Sequence, residues 1–217
     1  MAHQVAVFGL GRFGKSLARE LYRIGHDVLV VDRQEESSQE MVGQVTYAVT
    51  GDATSSALLG ELGITHFDTA IVAMGKDMQS SILTTVLLKQ QFKVAQVIAR
   101  ATSELHGRTL EAVGVDRVVY PEQETGVRTA HSIFKKAVTE YMELTDGFGF
   151  SKRNVTSDMV GKTIEQAGFT TLEDPNGASV IAINRADKPL LKPDQTEELQ
   201  SGDILVIGGK EEILETP

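Results

Sequence analysis

Residues 5–32 read VAVFGLGRFGKSLARELYRIGHDVLVVD, and the fold follows from them. The stretch opens on a short apolar run, Val5 to Phe8. Three glycines follow as G-x-G-x-x-G, namely Gly9, Gly11 and Gly14. A helical pattern comes next, with Leu17, Ala18, Leu21 and Ile24 on one face. Gly25 closes it, and a second apolar run, Val28 to Val31, leads into Asp32. The order is strand, glycine turn, helix, strand, acid. The first glycine permits the tight turn, the second lets backbone approach a phosphate, and the third lets helix pack on strand. The helix N-terminus offers free N–H groups and a partial positive charge to that phosphate. Asp32 stands at the end of the second strand, where a carboxylate can accept the hydroxyls of a ribose. The acid argues against a 2′-phosphate. Arg33 could in principle hold one, but Asp32 beside it would repel it.

The remaining chain continues the alternation. A polar helix is expected over Gln34 to Gly43 and a strand over Val45 to Val49. Gly51, Asp52, Ala53 and Thr54 come next, with Thr54 as cap of a helix over Ser55 to Leu62. Thr69 to Met74 reads as a buried parallel strand. Met78 to Lys89 reads as an amphipathic helix with Ile82, Leu83, Val86 and Leu87 inward. Val94 to Ala99 is a strand ending at Arg100, Glu104 to Val113 a helix, and Asp116 to Val119 a sixth strand stopped by Pro121. Strand and helix in strict alternation predict an α/β fold, a doubly wound, Rossmann-like parallel sheet. Ligands of such sheets lie beyond the strand C-termini. Gly9, Asp32, Asp52, Ala73, Met74 and Arg100 fall at or near those ends and are expected to line one crevice.

Past Pro121 the texture changes. Glu122 to Glu143 is expected to be one long helix, with Val127, Ala130, Phe134, Ala137, Val138 and Tyr141 on a stripe. Thr145 to Phe150, TDGFGF, is the expected domain boundary. The organisation expected is thus 1–121 as a nucleotide-binding domain, 122–144 as a crossover helix or linker, and 145–217 as a small α+β lobe. In that lobe Val160 to Ala167 is expected as a short helix, and Ala178 to Asn184 and Asp203 to Ile207 as strands. A lobe this small is marginal alone and is expected to dimerise or dock.

Composition excludes several classes of chemistry. The 217 residues include no cysteine, which removes disulfides, thiolate nucleophiles and Cys-type zinc sites together and fits a reducing cytoplasm. The net charge of −9 disfavours nucleic acid as a partner. The N-terminus has no signal-peptide pattern, and no run reaches the ~20 apolar residues of a membrane span. The five histidines form no HxH or HExxH spacing. There is no GxSxG and no P-loop. A nucleotide site without catalytic groups points to a sensor and not an enzyme. Arg12, inside the glycine loop, suits the outer phosphates of a di- or triphosphate better than a dinucleotide. Glu122 and Glu124 open the long helix, where they either compensate its dipole or supply oxygen to a divalent cation, Mg2+ or Ca2+.

The blocks VFGLGRFGKSLARELYRIGHDVLVVD from Val7, GDAT from Gly51, DTAIVAMG from Asp68 and VGVDRVVYPEQETG from Val113 carry a resemblance. They resemble the RCK, or KTN, regulatory subunits of Ktr/Trk potassium uptake systems, of the KtrA type. The resemblance implies a cytoplasmic homo-oligomer, an octameric ring. It would be peripheral to the inner face of the membrane through a Ktr/Trk-type channel subunit, with ATP or ADP favouring different ring shapes. It implies Gly9, Gly11 and Gly14 at the phosphates, Asp32 at the ribose, and Asp52 and Ala53 by the adenine, with Phe13 and Arg33 among the residues that bind the nucleotide. Ala73, Met74 and Arg100 complete the crevice. Arg12 is implied at the terminal phosphate, and Glu122 as ligand of a divalent cation bridging to ATP. Some relatives bind cyclic di-AMP in the C-terminal lobe. Phe169 to Gly177 departs from the expected pattern there, leaving Ile183, Asn184, Arg185 and Pro193 as weak candidates for that second ligand. The alternatives are an NAD(H)-binding redox sensor or dehydrogenase, which shares Gly9 to Asp32 but has no use for Arg12, and a scaffold with a vestigial site.

Overall fold

Six strands arise where the apolar runs stand: β1 (Gln4–Phe8), β2 (Asp27–Asp32), β3 (Tyr47–Thr50), β4 (Thr69–Val72), β5 (Gln96–Arg100) and β6 (Arg117–Val119). They pair in parallel in the order β3-β2-β1-β4-β5-β6. This computed structural model describes residues 2–133, 138–171, 174 and 177–214. The chain divides into two units, Met1–Glu122 and Gln123–Pro217. Between the strands of the first unit run α1 (Arg12–Arg23), α2 (Glu35–Gln39), α3 (Ser56–Glu61), α4 (Met78–Val86) and α5 (Glu104–Ala112). Strands β1, β2 and β4 bury both faces, as their near-continuous Val/Ile/Ala runs require. The chain order reverses between β1 and β4, which opens the crevice there.

Several local expectations shift. The polar helix expected over Gln34 to Gly43 is the single short helix α2. Thr54 does not cap α3. Ser55 does, its Oγ accepting from Leu58 N–H at 3.3 Å, while Thr54 N–H and Oγ donate to Asp52. Helix α4 is rotated from the expected face. Ser80, Ser81, Thr84 and Thr85 are buried, and Leu83 is 46% exposed. Two features permit this. The Asp77 side chain caps the helix through Ser80 N–H, fixing the first turn. Thr85 Oγ donates to Ser81 C=O within the helix, so that hydroxyl needs no tertiary partner. Ile82 and Leu87 still pack against the core.

His106 on α5 is fully buried, and its Nε2 has no hydrogen-bond partner among the described residues. Burial lowers its pKa below the ordinary 6.5. The unfolded chain therefore takes up a proton that the folded chain refuses. Stability is full above about pH 6.5 and declines as pH falls through it, by at most about 1.4 kcal/mol per pH unit. Thermal melts at pH 7.5 and 5.5 should show this decline in the wild type, flattened in His106→Gln.

In the second unit, α6 (Pro121–Ile133) begins where the long helix was expected, and Val127 on it is 52% exposed. The helix does not reach Glu143. Residues 138–145 form a strand, β7 (Val138–Thr145), paired antiparallel with β8 (Phe148–Asn154). Tyr141, assigned above to a helical stripe, is instead buried on the inner face of a sheet, and Phe134 and Ala137 lie outside the described residues. TDGFGF is the hairpin turn between these strands, with Gly147 at φ +72°. An Asp-Gly between two alternating runs is itself a hairpin signal. The sheet is completed by β9 (Ala178–Arg185), β10 (Lys188–Leu191) and β11 (Ile204–Lys210), in the order β10-β9-β11-β8-β7, with α7 (Glu211–Leu214) at its end. Tyr141, Val180, Ile183, Leu205 and Ile207 share one core with Ile164 and Leu199. Residues 160–167 are turns closed by backbone bonds to 195–199, not the expected helix.

Candidate functional site

Phe8 ends β1 at full burial, and the chain must turn sharply onto α1. Gly9 makes the turn at φ +96°, a conformation side chains resist. Gly14, one turn into α1, lies so close to β1 that an added Cβ would sit 2.0 Å from Gly9 O. Gly11 faces open space, with nothing within 4 Å of such a Cβ. It is the N-cap of α1 and supplies no side-chain acceptor. The helix start thus presents unsatisfied N–H donors at a point any atom of a ligand can approach, as a phosphate needs.

Asp32 fixes this loop from the neighbouring strand. Its Oδ2 accepts from Leu10 N–H at 2.5 Å and its Oδ1 from Gln34 N–H at 2.8 Å. The carboxylate is therefore a structural tie, and each oxygen retains a further lone pair that a ligand hydroxyl could use.

Beyond the loop a cavity of about 550 Å³ opens. Gly9, Gly11, Arg12, Phe13, Asp32, Arg33, Asp52, Ala53, Ala73, Met74, Arg100 and Glu122 all line it. Gly14 does not; it is buried behind the loop, holding α1 to β1. Sequence reasoning missed Gln34, Gly75, Lys76, Asp77 and Ser80, which also line it. Asp77 and Ser80 were legible as an N-cap pair at the head of a helix that follows a buried strand. At Gly75 an added Cβ would lie 2.5 Å from Arg100 Nη1, at the flexible end of that side chain.

The cations of the crevice differ in their commitments. Arg33 is bound by Asp52 at 3.0 and 3.1 Å and by Ser80 Oγ at 3.1 Å. Hydrogen bonds donated to Asp52 hold the Arg33 pKa above its ordinary value, and the Asp52 carboxyl is lowered, first by the Thr54 hydroxyl. Arg100 is paired with Glu122. Arg12 and Lys76 have no carboxylate partner among the described residues. Glu122, the candidate cation ligand, is thus occupied by an arginine, and no cluster of three or more His, Asp or Glu suited to a metal occurs among the described residues.

The second-ligand candidates separate. The Ile183 side chain is fully buried in the sheet core and is not available to a ligand. Arg185 is spent on Asp203, Glu197 and the Glu198 carbonyl. Asn184 Oδ1 is buried with no hydrogen-bond partner among the described residues, and Pro193 is half-buried in the loop after β10. Phe169 to Gly177 is only partly described, residues 172, 173, 175 and 176 lying outside.

The TrkA-N domain pattern matches residues 5–121, and the TrkA-C domain pattern matches residues 153–216. The chain belongs to the TrkA/Ktr family. It is 35% identical to the Ktr system potassium uptake protein A of Bacillus subtilis over 206 residues, covering 95% of this chain and 91% of that one. It is 31% identical to the Ktr system potassium uptake protein A of Vibrio alginolyticus, over 97% of this chain and 94% of the relative. Among solved structures it resembles the GsuK channel bound to NAD, at 27% identity and a TM-score of 0.54. The alignment covers 99% of this chain and 37% of that channel's chain. The TrkA-N match ends one residue before the division between the two units. No helix among the described residues is long and apolar enough to cross a membrane.

Proposed function

We propose that the chain is a nucleotide-sensing regulatory subunit of a potassium uptake system, binding ATP and ADP in the crevice of its first unit. The family supports the potassium-transport role, through two relatives named as Ktr potassium uptake proteins. The ligand assignment rests on one observation, the uncommitted Arg12 at the phosphate end. In this reading Asp32 would meet the ribose, the α1 N-terminus the inner phosphates, and Arg12 the phosphate beyond them; Asp32, Gly11 and Arg12 all line the crevice. An extra phosphate on ATP finds a free guanidinium there, and Lys76 is the second free cation on the wall. A divalent ion would bind Glu122 by replacing Arg100, releasing that guanidinium to the phosphates as well.

The site's work is regulatory, not catalytic. A ligand shifts a conformational equilibrium only by its differential affinity for the two states, and Arg12 is the group that distinguishes ATP from ADP. We place the protein in the cytoplasm as a homo-oligomeric ring, an octamer, on the inner face of a Ktr/Trk-type membrane channel subunit. Arg12→Ala should narrow the ratio of ATP to ADP affinity by about tenfold, the value of one charge-assisted hydrogen bond, with ADP affinity changing less. Isothermal titration of both nucleotides reads this directly, and an unchanged ratio removes Arg12 from the mechanism.

NAD is the second reading. The GsuK channel, 27% identical, is bound to NAD in its solved structure, and the glycine loop with Asp32 suits a dinucleotide equally. Thermal stabilisation by NADH but not by ATP or ADP would establish it.

A further inference from the structure

Arg33 follows Asp32 directly, and its guanidinium is held by two segments at once. Nη2 donates to both oxygens of Asp52, at 3.0 and 3.1 Å, and to Ser80 Oγ at 3.1 Å. Nη1 reaches Asp77 Oδ2 at 3.5 Å. Asp52 follows β3, whereas Asp77 and Ser80 open α4. All four line the crevice.

The two carboxylates are themselves anchored. Asp52 Oδ1 accepts from Thr54 N–H at 2.8 Å and from its hydroxyl at 2.7 Å. Asp77 accepts from Ser80 N–H at 2.9 Å and from the Ser80 hydroxyl at 2.6 Å. One cation facing two fixed anions leaves the cluster with a net negative charge, and Asp32 alongside adds another. In sites of this fold an arginine near the strand-end position is what accommodates a 2′-phosphate. Here that arginine is present and already engaged.

We propose that Asp52 and Asp77 are specificity determinants of the crevice: by holding Arg33 they deny it to a 2′-phosphate. The crevice then accepts adenosine nucleotides with a free 2′-hydroxyl and rejects those phosphorylated at that oxygen. The proposal rests on the nucleotide-binding reading and extends it to the ribose end. Asp32 repels a 2′-phosphate in this fold generally; the Asp52–Arg33–Asp77 cluster adds that Arg33, the cation next to Asp32 in the chain, is withheld.

The test uses two ligands that differ by one group, 5′-AMP and adenosine 2′,5′-bisphosphate, titrated into the full chain by calorimetry. The wild type should bind AMP tighter, by about tenfold or more. The double variant Asp52→Asn/Asp77→Asn keeps both turn and helix caps, since Asn caps as well as Asp. It removes the charges that hold Arg33. Its AMP-to-bisphosphate ratio should fall by about tenfold, as one freed guanidinium would give. Adding Arg33→Met to it should restore the wild-type preference. Asp77→Asn alone should fall between, because the two-oxygen Asp52 pair remains.

An unchanged ratio in the double variant overturns the proposal. So does a shift that persists with Arg33→Met, which would be a general charge effect. A wild type that prefers the bisphosphate overturns it while leaving the nucleotide site standing. A folded wild type that binds none of AMP, ADP, ATP and NAD overturns the nucleotide reading itself, and this proposal with it.

Discussion

Gly14→Ala is expected to lower the melting temperature by roughly 10 °C and to weaken nucleotide binding more than tenfold. The backbone conformation at Gly14 is helical, and in a free helix alanine would be the better residue by about 1 kcal/mol. The cost is steric. The new Cβ would stand 2.0 Å from Gly9 O and 3.2 Å from the Ala73 Cβ. Gly9 cannot retreat, because its N–H donates to Val31 C=O at 2.9 Å and its φ is +96°. Helix α1 must move instead, and its N-terminus leaves the phosphate position. A net loss of about 3 kcal/mol is expected. Gly11→Ala is the control: nothing lies within 4 Å of its Cβ, so stability should hold within about 0.5 kcal/mol while nucleotide affinity falls. Thermal melts with and without ADP separate the two variants. Equal melting temperatures for Gly14→Ala and the wild type would show that β1 and α1 separate more easily than their packing implies.

Arg185→Met is expected to cost the full chain roughly 3–5 kcal/mol in urea unfolding. Asp203 is 1% exposed, and Arg185 meets it with two hydrogen bonds, at 2.9 and 2.8 Å. Burial alone would raise the Asp203 pKa; the Arg185 bonds and the Gln200 N–H reverse that, so the net pKa is lowered. The sign follows. The pair stabilises the fold above the ordinary carboxylate range and is lost as pH falls through the lowered pKa. Without Arg185 the buried carboxylate keeps, among the described residues, the Gln200 N–H at 2.9 Å. The double variant Arg185→Met/Asp203→Leu should recover most of the loss, because an apolar pair leaves no uncompensated charge. No recovery would mean that the charge is not what the single variant exposes.

This pair also shows where the sequence was silent. Arg185 and Asp203 stand at the end of β9 and just before β11, 18 residues apart, with no shared local pattern. The resemblance had offered Arg185 as a candidate for a second ligand. In the fold it is the counter-charge of a buried acid.

The parallel sheet was legible because its signals are local: apolar runs of strand length, a glycine turn, caps and helical periodicity within about 30 residues. The crevice was legible for the same reason, since strand ends are known once strands are, and nearly every residue assigned to it lines one cavity. The C-terminal sheet was less so. Residues 138–145 carry apolar positions compatible with either period, and only pairing with β8 decides for strand. The buried hydroxyl face of α4 was hidden by the same ambiguity, because Ile82, Leu83, Val86 and Leu87 make a plausible stripe on their own.

From the sequence alone follow the order of strands and helices in the first unit, the glycine loop and the acid at the end of β2. Tertiary structure alone decided which cations are free. Arg33 meets Asp77 from 44 residues away, and Arg100 meets Glu122 from 22. Charges that neutralise one another across such distances obey the three-dimensional proximity of strand ends, which no spacing in the chain encodes. Arg12 and Lys76 differ because the fold brings no carboxylate to either among the described residues, and the reading of the ligand depends on Arg12.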